Sequence, residues 1–272
     1  MALVLMRIFK YATYILFIVF IIWGLGIIAR IFIYDSFIVR GASMEPTLHD
    51  GERVWVNKLT LGARLYTDFD FDSSELKCFR MPGLREARVG DIVVVNDPYY
   101  RCRDSITFTI NRVYIKRCYG SPGDTVRILD GHYIHPQNGT SLGPMFFQNE
   151  ISELGDSLLR GMGVYVNAWN VNKLQKWTIL DFGPLYVPKK GDVIYLTHEN
   201  YRSYKKQIHY ETGLWLKEKE GKIVLDKKPI SEYEFLSDWY FLGGDNVLNS
   251  RDSRYIGFMP ADFIIGIVSN IE

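Results

Sequence analysis

The residues best suited to chemistry lie in three separate stretches. They are a serine in Arg40-Gly41-Ala42-Ser43-Met44-Glu45-Pro46-Thr47-Leu48, a lysine in Tyr114-Ile115-Lys116-Arg117-Cys118, and a polar loop from Gly244 to Arg254. Ser43 follows a small residue, and Pro46 fixes the backbone just beyond it, as suits a hydroxyl that another molecule must reach. Surface turns of this composition are common, so the string alone decides nothing. A serine hydroxyl becomes a nucleophile only beside a base. Alternation along 107–118 puts Lys116 on one face with Phe108, Ile110, Arg112, Tyr114 and Cys118, and turns Arg117 to the other. An amine at its ordinary pKa of ~10.4 is protonated at neutral pH and cannot act as a base. Burial disfavours the ammonium form, so the apolar face around Lys116 is where such a lysine could be made neutral. The polar loop packs two Asp, two Asn, two Ser and two Arg into positions 244–254, between glycines and strands. That composition suggests an ordered hydrogen-bond network.

The elements that must hold these residues begin with a membrane anchor. Residues 11–33 carry one charge, Arg30, and are long enough to cross a hydrocarbon layer of ~30 Å. Arg7 and Lys10 precede the span and place residues 1–10 in the cytoplasm, although Arg30 and Arg40 on the far flank pull the other way. A cleaved leader would need a shorter apolar core and a small-x-small ending, and Ala29-Arg30-Ile31 is not one. Residues 34–272 are then extracytoplasmic. Ser43 follows Ile33 closely enough that it stays within about 35 Å of the membrane exit.

The remainder reads as mainly β, as its Tyr and Phe content favours. Strands are expected over 52–57, after the Gly90-Asp91 turn, and over 107–118. Another starts at Thr125 and runs into an Asp130-Gly131 hairpin. Lys190-Gly191-Asp192-Val193 repeats the Gly-Asp phrase and predicts a strand of the same local type. Helices are expected within 149–160 and 202–210, and a hairpin over 214–225 turning at Glu220-Gly221. Insertions are expected at 62–87, 136–188 and 197–235, the last a solvated subdomain.

Several functions are disfavoured. A net charge of +1 argues against nucleic-acid binding. Three cysteines cannot all pair; a Cys78–Cys102 bridge is allowed but not required. Cys118 reads as a buried apolar residue. His132-x-x-His135 lacks the Cys or carboxylate partners of a metal site. Ser203-x-x-Lys206 lacks the companion motifs of penicillin-binding enzymes.

Taken together, four stretches resemble bacterial type I signal peptidases, membrane-anchored serine proteases with a Ser/Lys dyad. Ser43–Leu48 is similar to the nucleophile motif, Arg88–Val93 to the strand motif after it, Tyr114–Val126 to the lysine motif, and Gly244–Arg254 to the C-terminal motif. They cover well under a quarter of the chain, and the insertions are unmatched. The resemblance implies an antiparallel β catalytic core with an inserted subdomain, and no metal or organic cofactor. It implies Ser43 as nucleophile and Lys116 as general base. Ser250 would orient the lysine, an Arg117–Asp245 pair would lie behind the site, and Asp252 and Arg254 would form a second pair. The Ser43 backbone N–H is the candidate oxyanion donor. A second donor, a hydroxyl two residues before the nucleophile in some members, falls on Gly41 here. Substrates would be secretory preproteins cut after a small-x-small pattern at the outer face of the cytoplasmic membrane, near the bilayer and the secretion translocon. An extended peptide could add to a sheet edge, with Met44, Tyr114 and Ile115 as candidate contacts. The rival reading is a catalytically silent, membrane-tethered β protein that holds exported chains. A Ser/Lys self-cleaving repressor is a third reading, disfavoured by the span.

Overall fold

The computed structural model describes residues 2–68, 70, 72–102, 104–168 and 176–271. Helix α1 covers Ala2–Phe32. Its Met6–Phe32 portion has a mean hydropathy of 2.6 and none of its most apolar window is buried in the protein. A helix apolar on every side has no face to turn to a protein core, and 27 residues rise ~40 Å, enough to cross a bilayer. The helix begins earlier than the sequence suggested, so Arg7 and Lys10 belong to it. Its end is tied to the sheet. Arg30 Nε lies 3.2 Å from Asp35 Oδ1, and Lys58 Nζ lies 3.0 Å from Asp35 Oδ2 while donating to Arg30 O at 2.9 Å.

Seven strands form the main sheet: β1 (Tyr34–Ile38), β2 (Arg53–Asn57), β3 (Ile92–Asn96), β4 (Val113–Gly120), β5 (Trp239–Gly243), β6 (Met259–Pro260) and β7 (Ile264–Ile271), in the order β1-β2-β7-β3-β4-β5-β6. Every neighbouring pair is antiparallel, and the sheet is curled. Lys116 on β4 stands opposite Val93 on β3. On the other side of β4, pairing with β5 stops at Arg117, opposite Gly243. Among the described residues, 113–116 therefore keep one backbone edge without a strand partner, an open edge of the kind that can accept a further strand.

Two apolar cores flank this sheet. The larger includes Cys118, Tyr119, Trp239, Phe241, Phe258 and Phe263. The smaller holds Val39, Met44, Leu48, Val54, Val56 and Val94, directly beneath the Ser43 turn. Met44 and Leu48 are 1% and 0% exposed. Full burial of such side chains stabilises by about 1.5–3 kcal/mol each, which fixes the turn just after the serine.

The expected strand over 107–118 forms only from Val113 onward. The earlier residues are held as a loop, because Asn96 Nδ2 donates to Thr109 O and Ile110 O at 3.0 Å each, which substitutes a side chain for a sheet ladder. The two Gly-Asp phrases do adopt one local form. Gly90 and Gly191 have φ of +94° and +84°. Asp91 N–H donates to Arg88 O, and Asp192 N–H to Lys189 O, both at 3.0 Å. The strands that follow belong to different sheets, since Val193–Tyr195 pairs with Glu232–Glu234.

Helix α2 spans Met145–Gly161, bent where Gly155 leaves helical geometry, and α3 spans Tyr201–Thr212. The Glu220-Gly221 turn joins Lys217–Lys219 to Lys222–Leu225 as expected, with positive φ at both turn residues. Cys78, Cys102 and Cys118 are all free thiols, so the Cys78–Cys102 bridge is not formed. The His132 ring bonds Asp130 O and Asn149 Oδ1, and the His135 ring accepts from Gln137 N–H.

Candidate active site

The Ser43 turn is closed by the backbone. Val39 exchanges hydrogen bonds with Glu52 O and Gly51 N–H, and both Thr47 and Leu48 N–H donate to Met44 O at 2.9 Å. On this fixed turn the Ser43 hydroxyl faces β4, and Lys116 Nζ donates to Ser43 Oγ at 2.6 Å. Lys116 is only 3% exposed. Burial lowers its amine to about 8, against the pull of the Asp252 and Asp245 carboxylates toward the charged form. A pKa of about 8 leaves roughly a tenth of the amine neutral at pH 7, against well under a thousandth for a free lysine. A neutral amine within hydrogen-bond reach can take the proton of a hydroxyl as it attacks a carbonyl.

The polar loop supports this pair from behind. Asn246 N–H donates to Ser43 O at 3.2 Å. The Arg117 guanidinium grips both oxygens of Asp245 at 2.7 Å, and its third contact is Gly90 O at 2.8 Å. As alternation required, Arg117 points away from the Lys116 side. The Asp245 carboxylate also accepts from Thr47 Oγ1 at 2.5 Å and from the Tyr119 hydroxyl at 3.2 Å. The Ser43 turn, the Lys116 strand and the C-terminal loop thus meet on one carboxylate.

Asp252 and Arg254 form the second pair, both 0% exposed. Arg254 Nε and a terminal guanidinium nitrogen donate to the two Asp252 oxygens at 2.9 and 2.8 Å. Burial alone would raise the Asp252 carboxyl, but Arg254 and the Gly244 N–H hold it below its ordinary value. Gly244 cannot be any other residue without rearrangement. A Cβ there would lie 2.3 Å from Ser250 Oγ and 2.4 Å from Ser43 O. Ser250 is therefore packed next to the Ser43 backbone. Its hydroxyl is buried and makes no hydrogen bond of good geometry among the described residues, to Lys116 or to any other group.

Gly41 has a φ of +81°, a region that side-chain-bearing residues rarely adopt, which accounts for glycine at this position. Its N–H is taken by Asp50 Oδ1 at 2.6 Å. The Ser43 N–H donates to no group among the described residues.

A groove of about 310 Å³ leads to the serine between the chain before it and the open edge of β4, lined by Val39, Arg40, Met44, Tyr114, Ile115 and Lys116 among others. Tyr114 is fixed there by its hydroxyl, which donates to Asp97 Oδ2 at 2.6 Å, and its ring lies 5.6 Å from Lys116 Nζ. The structure thus brings Met44, Tyr114 and Ile115 together with the Ser43–Lys116 pair. Sequence reasoning missed Thr47 and Tyr119, although both lie inside stretches it had singled out, because each acts only through the buried Asp245.

The family described as signal peptidase, peptidase S26, matches residues 10–271 of this chain. The chain is 27% identical over 247 residues to signal peptidase I T of Bacillus subtilis (strain 168), a match covering 89% of this chain and 75% of that one. Signal peptidase I of Bacillus amyloliquefaciens is 28% identical over 245 residues, with 89% and 76% covered. Signal peptidase I of Rickettsia bellii (strain OSU 85-389) is 27% identical over 242 residues, with 89% and 66% covered.

Proposed function

The chain belongs to the signal peptidase family, peptidase S26, and from that premise we propose that it removes signal peptides from exported preproteins as a Ser/Lys serine endopeptidase. The observation that carries the dyad is the 2.6 Å contact between Ser43 Oγ and a Lys116 amine that burial lowers to about 8. Neutral Lys116 accepts the Ser43 proton as Oγ bonds to the scissile carbonyl carbon. The tetrahedral oxyanion meets the Ser43 N–H, an oriented donor where charge develops. Collapse breaks the carbon–nitrogen bond, and the protonated amine of Lys116 gives its proton to the leaving nitrogen. The signal peptide is left as an ester on Ser43. Lys116 then takes a proton from water, hydroxide adds to the ester carbonyl, and the serine leaves with that proton.

Ser250 lies beside this pair and orients the amine once substrate excludes water. The Arg117–Asp245 and Asp252–Arg254 pairs hold the strand and loop in register. The substrate's segment before the cut lies extended on the free edge of β4 in the groove at Met44, Tyr114 and Ile115.

The N-terminal helix anchors the protein in the cytoplasmic membrane by a single pass with its N-terminus inside. The serine then works at the outer face, where a preprotein held in the bilayer near the translocon presents its cleavage site. Incubating a preprotein in detergent with the wild-type protein and with Ser43→Ala tests the reading. Wild type should release the mature chain and the variant should not. A wild type that binds the preprotein without cutting it would instead make this a holding protein.

A further inference from the structure

A second groove, of about 550 Å³, lies near the first. Its lining includes Tyr165, Lys206, Asn249, Ser250, Arg251 and Tyr255. Ser250 is the link between the two, because Gly244's missing side chain leaves Ser250 Oγ and Ser43 O as close neighbours. A peptide running along β4 toward Ser43 occupies the first groove with the residues before the cut. The residues after the cut must leave past the serine, and Ser250 puts this groove within reach of that exit.

Part of its wall comes from the expected insertions and the rest from the C-terminal loop. Tyr165 lies in the stretch after α2, and Lys206 lies on α3. The wall is braced: the Tyr255 hydroxyl donates to Tyr165 O at 3.1 Å, and the two rings lie 5.9 Å apart. Lys206 is held over the Tyr99 ring at 4.5 Å. Arg251 is exposed and has no carboxylate within ion-pair distance among the described residues. The groove therefore offers the exposed Arg251, the half-buried Lys206, the exposed Tyr165 ring and the half-buried Tyr255 ring, and none of the described residues that line it carries a carboxylate.

Building on the peptidase reading above, we infer that this groove is the leaving-side subsite and that Arg251 and Lys206 favour an acidic residue shortly after the scissile bond. The charge matches what the site would meet. Segments exported just past an apolar stretch are depleted in Lys and Arg by the positive-inside rule, so a cationic subsite repels few natural substrates. The insertions then have a role in specificity: two separate parts of the chain extend the site beyond the catalytic core.

The test uses full-length protein in neutral detergent and a set of peptides with one signal-peptide segment and cleavage site. These differ only in carrying Asp, Asn or Lys at the first, second or third position after the cut. Wild type should show a kcat/KM about fivefold higher for Asp than for Lys at one of these positions, the size expected of a partly exposed charge contact. The ratio should fall with added salt. Each variant is judged by its own Asp-to-Lys ratio, so a general loss of activity cancels. The double variant Arg251→Gln/Lys206→Gln should bring the ratio to about one, and Arg251→Glu should invert it. An unchanged ratio in the double variant would overturn the inference. So would discrimination that appears only when anionic phospholipid is added, which would assign the cations to headgroups. Failure of the wild type to cut even the Asn peptides would count against the peptidase reading itself.

Discussion

A methyl group on Gly244 would lie 2.4 Å from the carbonyl oxygen of Ser43. The glycine is thus a spacer that lets the C-terminal loop touch the Ser43 backbone. Gly244→Ala must push Ser43 or Ser250 out of place. Since small misplacements at a reacting centre can cost about 100-fold, the variant should lose roughly that much kcat in a peptide cleavage assay. Its folding should survive, as judged by an unchanged far-UV circular dichroism spectrum.

Thr47 tests whether Asp245 positions the site. Its hydroxyl donates to Asp245 and accepts from Arg117 at 3.3 Å. Thr47→Val keeps the shape and removes both contacts, and hydrogen bonds to charged groups contribute about 1.5–3 kcal/mol. The variant should lower kcat more than it raises KM, and Thr47→Ser should restore it. A purely structural threonine would lower the melting temperature in both variants without this split.

Ser250→Ala should lower kcat more than it raises KM, because an orienting contact matters at the transition state rather than in binding. An unchanged kcat would remove the orienting role and leave Ser250 as packing alone.

The Asp252–Arg254 pair should dominate acid sensitivity. The Asp252 carboxyl lies below its ordinary value in the fold, so its contribution is complete above the unfolded pKa of ~3.9 and is lost as pH falls through the folded value. Asp252→Asn leaves a buried guanidinium without its counter-charge and should destabilise by about 3–5 kcal/mol. Denaturant melts at neutral pH measure that loss, and melts below pH 4 should show the difference from wild type shrinking.

The long apolar helix, the β class and the three stretches that meet around Ser43 were legible because each rests on local pattern. Apolar length gives the helix, alternation separates Lys116 from Arg117, and Gly-Asp phrases mark strand entries. Less was legible where backbone groups are satisfied at long range. Residues 107–112 alternate like a strand, yet the Asn96 side chain takes up the Thr109 and Ile110 carbonyls and keeps them a loop. Sequence could likewise not show that Thr47, Arg117 and Tyr119 converge on Asp245, since three of the four lie far from the fourth along the chain. The gap noted at Gly41 acquires a physical cause, because its φ of +81° favours glycine there.

The dependence of single-turnover cleavage on pH, in wild type and Lys116→Met, tests the central pairing most directly. Full-length protein in excess over a signal-peptide substrate should show a rate that rises with pH and levels off above an apparent pKa near 8, the value to which burial lowers the Lys116 amine. Lys116→Met should show no cleavage at any pH. A plateau reached with a pKa near that of a histidine, or cleavage by Lys116→Met at the wild-type rate, would contradict a neutral lysine as the base for Ser43.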